Sequence, residues 1–158
     1  MAGGRIALDH VVLEVRDPEA SADFYRRLLG LAPVRLAGYR SGSAPFLSAR
    51  VTPETLVDFF PRKLWRDRKR AQNPNHICFT LSAQGVRTVR RRLARMGVPI
   101  DRESGRNYGA RGWGVSLYVY DPDRISVEVR YYAPRPGKPA SGRSRSARPA
   151  HPLSRRPT

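Results

Sequence analysis

The chain repeats itself, and the repeat is what most restricts its architecture. The stretch LDHVVLEV (Leu8–Val15) is echoed by PNHICFTL (Pro74–Leu81). Each copy is followed by a helical pattern and then by short strand-like runs, so the order βαβββ occurs twice. In the first copy Val11, Leu13 and Val15 alternate with His10, Val12 and Glu14, the period of a strand with two unlike faces. In the second, Ile77, Phe79 and Leu81 form the apolar face and leave His76, Cys78 and Thr80 opposite.

The punctuation agrees with the repeat. Asp17 is placed to cap a first helix, Pro18 suits its first position, and Gly30 ends it. A second helix starts near Ser82, follows Val86, Val89, Leu93 and Met96, and closes at Gly97. The runs APFLSARV and TLVDFF complete module one, and GVSLYVY and ISVEVRYY complete module two. The segment SGRNYGARGWG reads as a glycine-rich loop bordering the cleft, with Arg106, Tyr108 and Arg111 facing a substrate. The expected fold is α+β: two βαβββ modules forming a curved mixed sheet around a cleft. One domain covers 6–132, with module one at about 6–61 and module two at about 73–132.

Composition narrows the class. No apolar run approaches the roughly 20 residues of a membrane span, and the first residues carry no signal-like apolar core, so a cytoplasmic protein without membrane contact is expected. The single cysteine, Cys78, excludes an internal disulfide and reads as a small buried residue. There are 30 basic and 13 acidic residues, and only seven of the basic ones lie from Ala133 onward, so the body is basic in its own right and attracts anionic small molecules. The tail, 134–158, holds six of the 14 prolines and almost nothing apolar, and is expected to be disordered. It offers the one route to nucleic acid, as a basic arm without interleaved aromatics.

Aligning the halves brings the polar strand residues into register. His10 corresponds to His76, and Asp58 corresponds to Glu128. A lone strand-end histidine needs no function. Two at equivalent positions, each with an equivalent carboxylate, form a candidate site for a divalent transition metal with positions open for substrate. Fe(II), Mn(II), Ni(II) and Zn(II) all suit such donors.

These residues resemble a known family. LDHVVLEVRDPEASADFYRRLLGL is similar to the opening module of the vicinal oxygen chelate superfamily, and NHICFTL with GVSLYVYDPDRISVEVR resembles its second module. The superfamily includes glyoxalase I, fosfomycin-resistance enzymes, extradiol dioxygenases and the metal-free bleomycin-binding proteins. The resemblance implies metal ligation by His10, His76 and Glu128, with Asp58 where glyoxalase I has a glutamate. It implies substrate contacts at Ser116 and Tyr118, beside Arg111 and Tyr108. The implied activity is glyoxalase-like: a substrate chelates the metal through adjacent oxygens, and Glu128 or Asp58 moves the proton beside a carbonyl. An Fe(II) extradiol-type dioxygenase is the alternative, and a non-catalytic binding or resistance protein the second. A homodimer is implied by resemblance alone. Where the family often has DPDGN this chain has DPDRI, a change expected to alter the turn.

Overall fold

The computed structural model describes residues 7–133. The tail expected to be disordered, 134–158, lies outside the described residues. Module one runs β1 (His10–Glu14), α1 (Pro18–Leu29), β2 (Ala32–Val34), a short α2 (Leu36–Arg40), β3 (Leu47–Thr52) and β4 (Thr55–Phe60). Module two runs β5 (His76–Thr80), α3 (Ala83–Met96), β6 (Arg102–Gly109), β7 (Gly112–Tyr120) and β8 (Ser126–Tyr131). The curved sheet takes the form of two four-stranded mixed sheets, ordered β1-β4-β3-β2 and β5-β8-β7-β6. In each the first strand lies parallel to the last, and the other neighbours are antiparallel.

The caps are those the sequence signals. Asp17 accepts from the backbone N–H groups of Glu19 and Ala20, and Gly30 closes α1 in the left-handed region. Ser82 accepts from the N–H of Gly85, and Gly97 closes α3. Two elements differ from expectation. The glycine-rich segment is not a loop but strand β6 and the tight turn into β7. Its residues have little strand propensity, but β6 lies at a sheet edge, where one ladder to β7 suffices. In the DPDRI turn the residue at the glycine position, Arg124, adopts φ 64°, a region unusual for a non-glycine residue, and lays its guanidinium over the Tyr120 ring at 4.2 Å.

The two modules share one core. Leu13, Val57, Phe59, Leu47 and Ala49 pack beneath α1, and Leu117, Val119, Val127 and Val129 beneath α3. Tyr25 of α1, fully buried, joins them: its ring lies 5.4 Å from Phe59 and 6.2 Å from Phe79, and its hydroxyl donates to Asp121. Each such large side chain contributes on the order of 2 kcal/mol of apolar burial. Because α1 and α3 cover the apolar faces, the opposite face of each sheet is left for polar residues. Among the described residues no helix is long and apolar enough to cross a membrane.

Candidate metal and substrate site

Strand parity builds the site in module two. Glu128, Arg130 and Tyr132 follow one another on the face of β8 away from α3, and Ser116 and Tyr118 stand beside them on β7. Glu128 is only 3% exposed. Its Oε1 accepts from the Ser116 hydroxyl at 2.5 Å and from Arg130 Nη2 at 3.0 Å. Its Oε2 lies 3.2 Å from Nε2 of His76, across the parallel β5–β8 pair. Burial alone would raise the Glu128 carboxyl; the Ser116 hydrogen bond and the Arg130 charge outweigh it and hold the group below its ordinary value.

His76 stands against Glu128. Its Nδ1 lies 3.0 Å from the side-chain oxygen of Asn75, a contact that fixes the ring with Nε2 turned to the carboxylate. Nε2 and Oε2, 3.2 Å apart, form an ion pair when both ring nitrogens carry protons and can share a cation when Nε2 carries none. Two donors about 2.1 Å from one divalent ion and at right angles would stand about 3 Å apart, so this pair fits a metal.

Module one carries the matching half. His10 places Nδ1 2.7 Å from Asp9, and that bond, with Asp58 adding to it, raises the imidazole. Asp58 is buried and accepts from Ser48 at 2.6 Å. The convergence of all four residues is not made within one chain: among the described residues no three His, Cys, Asp or Glu side chains come together to hold an ion. The two pairs stand on separate sheets. Glu14, on the same face as His10, is committed elsewhere, since its carboxylate accepts from the N–H groups of Arg66 and Gln72 and pins the inter-module connector.

The module-two half opens into a recess of about 370 Å³ lined by His76, Arg102, Ser104, Asn107, Tyr118 and Arg130. Tyr118 receives a hydrogen bond from Asn107 at 2.7 Å, and Arg102 lies over its ring at 3.9 Å. Burial, with Glu128 nearby, raises the Tyr118 phenol and keeps it protonated. Ser116 is engaged with Glu128 rather than open to the recess. Tyr108 reaches the site through its carbonyl, which accepts from Arg130, while its ring is 74% exposed and meets Trp113 edge-on at 5.5 Å. Arg111 sits at the hairpin with its guanidinium over Tyr132. Cys78 is not buried: it is exposed on β5, and its thiol is pushed up to about 12 by partial burial and by Glu128, which leaves it unreactive. A larger hollow, about 550 Å³, lies beside Phe24, Ile100 and Tyr120 and contains no histidine.

Sequence reasoning passed over Arg130 and Arg102. The signal for Arg130 was present, since VEVRYY places it two residues from Glu128 on the same face. Arg102 gave none, because it lies just before the glycine-rich segment, where no apolar alternation marks a strand.

Known proteins share this framework. The chain is 29% identical to Glyoxylase I 4 of Arabidopsis thaliana over 78% of its own length and 69% of that protein. Its fold matches an integron cassette protein from the mobile metagenome of V. cholerae, with a TM-score of 0.64 and 24% identity over 84% of this chain and all of that one. It also matches a lactoylglutathione lyase from Agrobacterium tumefaciens, with a TM-score of 0.58 and 22% identity over 82% of this chain and 96% of that one. Residues 7–129, which contain both histidines and both carboxylates, match the family profile as a whole, and the chain therefore belongs to the Glyoxalase/Bleomycin resistance protein/Dioxygenase superfamily.

Proposed function

We propose that the chain is a metal-dependent enzyme of the glyoxalase-like kind, working as a homodimer on a small anionic substrate that presents two adjacent oxygens. The contact of His76 Nε2 with Glu128 Oε2, 3.2 Å apart across the β5–β8 pair, carries this reading. A divalent transition metal (Fe, Mn, Ni or Zn) would be held by His76 and Glu128, with His10 and Asp58 supplied by the partner copy. A second copy supplies the half-site that one chain leaves apart. When bound, such an ion stabilises negative charge developing on the substrate oxygens.

The chain's own groups do the remainder. Arg102, which has no ion-pair partner among the described residues, receives the anionic end of the substrate. Tyr118, protonated and already accepting from Asn107, directs its O–H to a developing oxyanion. Asp58 and Glu128 are the two carboxylates available to move the proton on the carbon beside the carbonyl. The matched lactoylglutathione lyase agrees in name with this class of reaction.

Metal content by elemental analysis, with sedimentation of the same sample, tests the reading. The expected result is near-stoichiometric metal in a dimer, lost in His76→Ala. No metal after reconstitution with each of the four ions would overturn it and leave a binding module. An extradiol-type Fe(II) dioxygenase is the second reading, favoured by the fixed position of Glu128 between Ser116 and Arg130. Iron as the resident metal would turn the assays toward it.

A further inference from the structure

We propose that Arg130 is a positioning residue that holds Glu128 as a one-oxygen ligand and makes the site a deliberately weak binder of metal. This rests on the metal-site reading above. Arg130 is 5% exposed at the floor of the recess, and its guanidinium is held by the protein. Nη2 donates to Glu128 Oε1 at 3.0 Å, Nε to the Ser116 hydroxyl at 3.3 Å, and Nη1 to the Tyr108 carbonyl and the Tyr132 hydroxyl at 3.2 and 3.3 Å. The space is cleared by a glycine: a Cβ at Gly109 would meet Nη1 and the Tyr132 hydroxyl. A substrate-binding arginine keeps most donors free; this one makes four hydrogen bonds to the protein.

The consequence falls on Glu128. Its Oε1 takes donors from both Ser116 and Arg130, so only Oε2, beside His76, is left to bind an ion. The equivalent place in module one is Phe60, and Asp58 is held by the Ser48 hydroxyl with no guanidinium. The repeat has therefore diverged in charge. One carboxylate carries a resident counter-ion, and the other does not. A divalent ion at Oε2 meets a ligand already half neutralised and a like charge behind it. Glu128 is also tied against swinging off an ion to carry a proton, which leaves that work to Asp58.

Cobalt(II) alone is a sufficient probe, read by chelator competition and by visible absorption in the parent, Arg130→Met and Gly109→Ala. Arg130→Met is expected to bind cobalt about tenfold more tightly, because removing a like charge beside the ion outweighs the loss of the hydrogen bond that orients the carboxylate. Its absorption should weaken as the second carboxylate oxygen joins and coordination rises. Gly109→Ala, which displaces the guanidinium without deleting its charge, is expected to change the spectrum in the same sense. It stands in if circular dichroism shows that Arg130→Met does not fold. A variant that binds cobalt no more tightly than the parent, with an unchanged spectrum, overturns the role of Arg130 while the metal site stands. Absence of cobalt binding in the parent and both variants overturns the metal reading, and the role of Arg130 with it.

Discussion

Ser116 shows how much of a site one hydroxyl can set. It donates to the buried Glu128 carboxylate at 2.5 Å, and a hydrogen bond to a charged group of this kind is worth about 1.5–3 kcal/mol. Ser116→Ala is expected to lose stability in that range at neutral pH, measured by urea denaturation. The pH dependence has a definite sign. Glu128 is held below its ordinary 4.5, so its contribution is present above that value and disappears as pH falls through the lower folded-state value. Parent and variant should therefore converge in acid; a gap that persists there would assign the loss to packing. At this scale register alone pairs His76 with Glu128, and the two side chains meet at 3.2 Å across β5 and β8. Ser116 was legible as a site-face residue, but not as a carboxylate holder, because a parity argument gives the face of a side chain and not its partner. Tyr108 illustrates the same limit, with its carbonyl rather than its ring at the site.

The β7–β8 turn does at the level of an element what Ser116 does at the level of a residue. Asp121 caps its own turn, accepting from the N–H groups of Asp123 and Ile125, and it is 4% exposed. Burial pushes its carboxyl up to about 6 from 3.8 against those hydrogen bonds. An acid raised on folding favours the fold fully below the unfolded value, and that support is lost as pH rises through the folded one. Ionised Asp121 at pH 7 thus costs on the order of 2–3 kcal/mol relative to its neutral form. Asp121→Asn keeps an acceptor for both N–H groups and removes the charge. Thermal melts should show the variant gaining on the parent between pH 4 and 6, the interval bounded by the two Asp121 values, and staying ahead above it. Identical pH profiles would mean that Asp121 does not titrate there. The sequence placed this turn, and in it Arg124, where the family often has glycine, takes up the left-handed conformation. Strand β6 was illegible for a different reason: Ser104, Gly105, Arg106, Asn107 and Gly109 carry no apolar alternation, since an edge strand facing solvent needs none.

At the scale of the molecule, the repeat made the two modules legible but not their mutual placement. Nothing in a βαβββ pattern says whether a module completes its neighbour's cleft or that of another chain. The structure narrows this through Tyr25, whose ring packs on Phe59 and Phe79 and whose hydroxyl reaches Asp121. The modules of one chain therefore meet through their helix-covered cores. Their polar faces are left to meet something else, and the His10–Asp58 and His76–Glu128 pairs stay apart. A homodimer in which each module faces the partner's opposite module would produce two sites, each with His10 and Asp58 from one chain and His76 and Glu128 from the other. His10→Ala and His76→Ala then complement each other. In a mixed dimer one site loses both histidines, while the other keeps both. Half of the dimers formed by random exchange are mixed, so about a quarter of all sites should recover full metal binding after the inactive variants are unfolded and refolded together. A site built within one chain would recover none, because every chain in the mixture lacks one of its own histidines. Metal retained after gel filtration of the mixture, compared with each variant alone, separates the two arrangements.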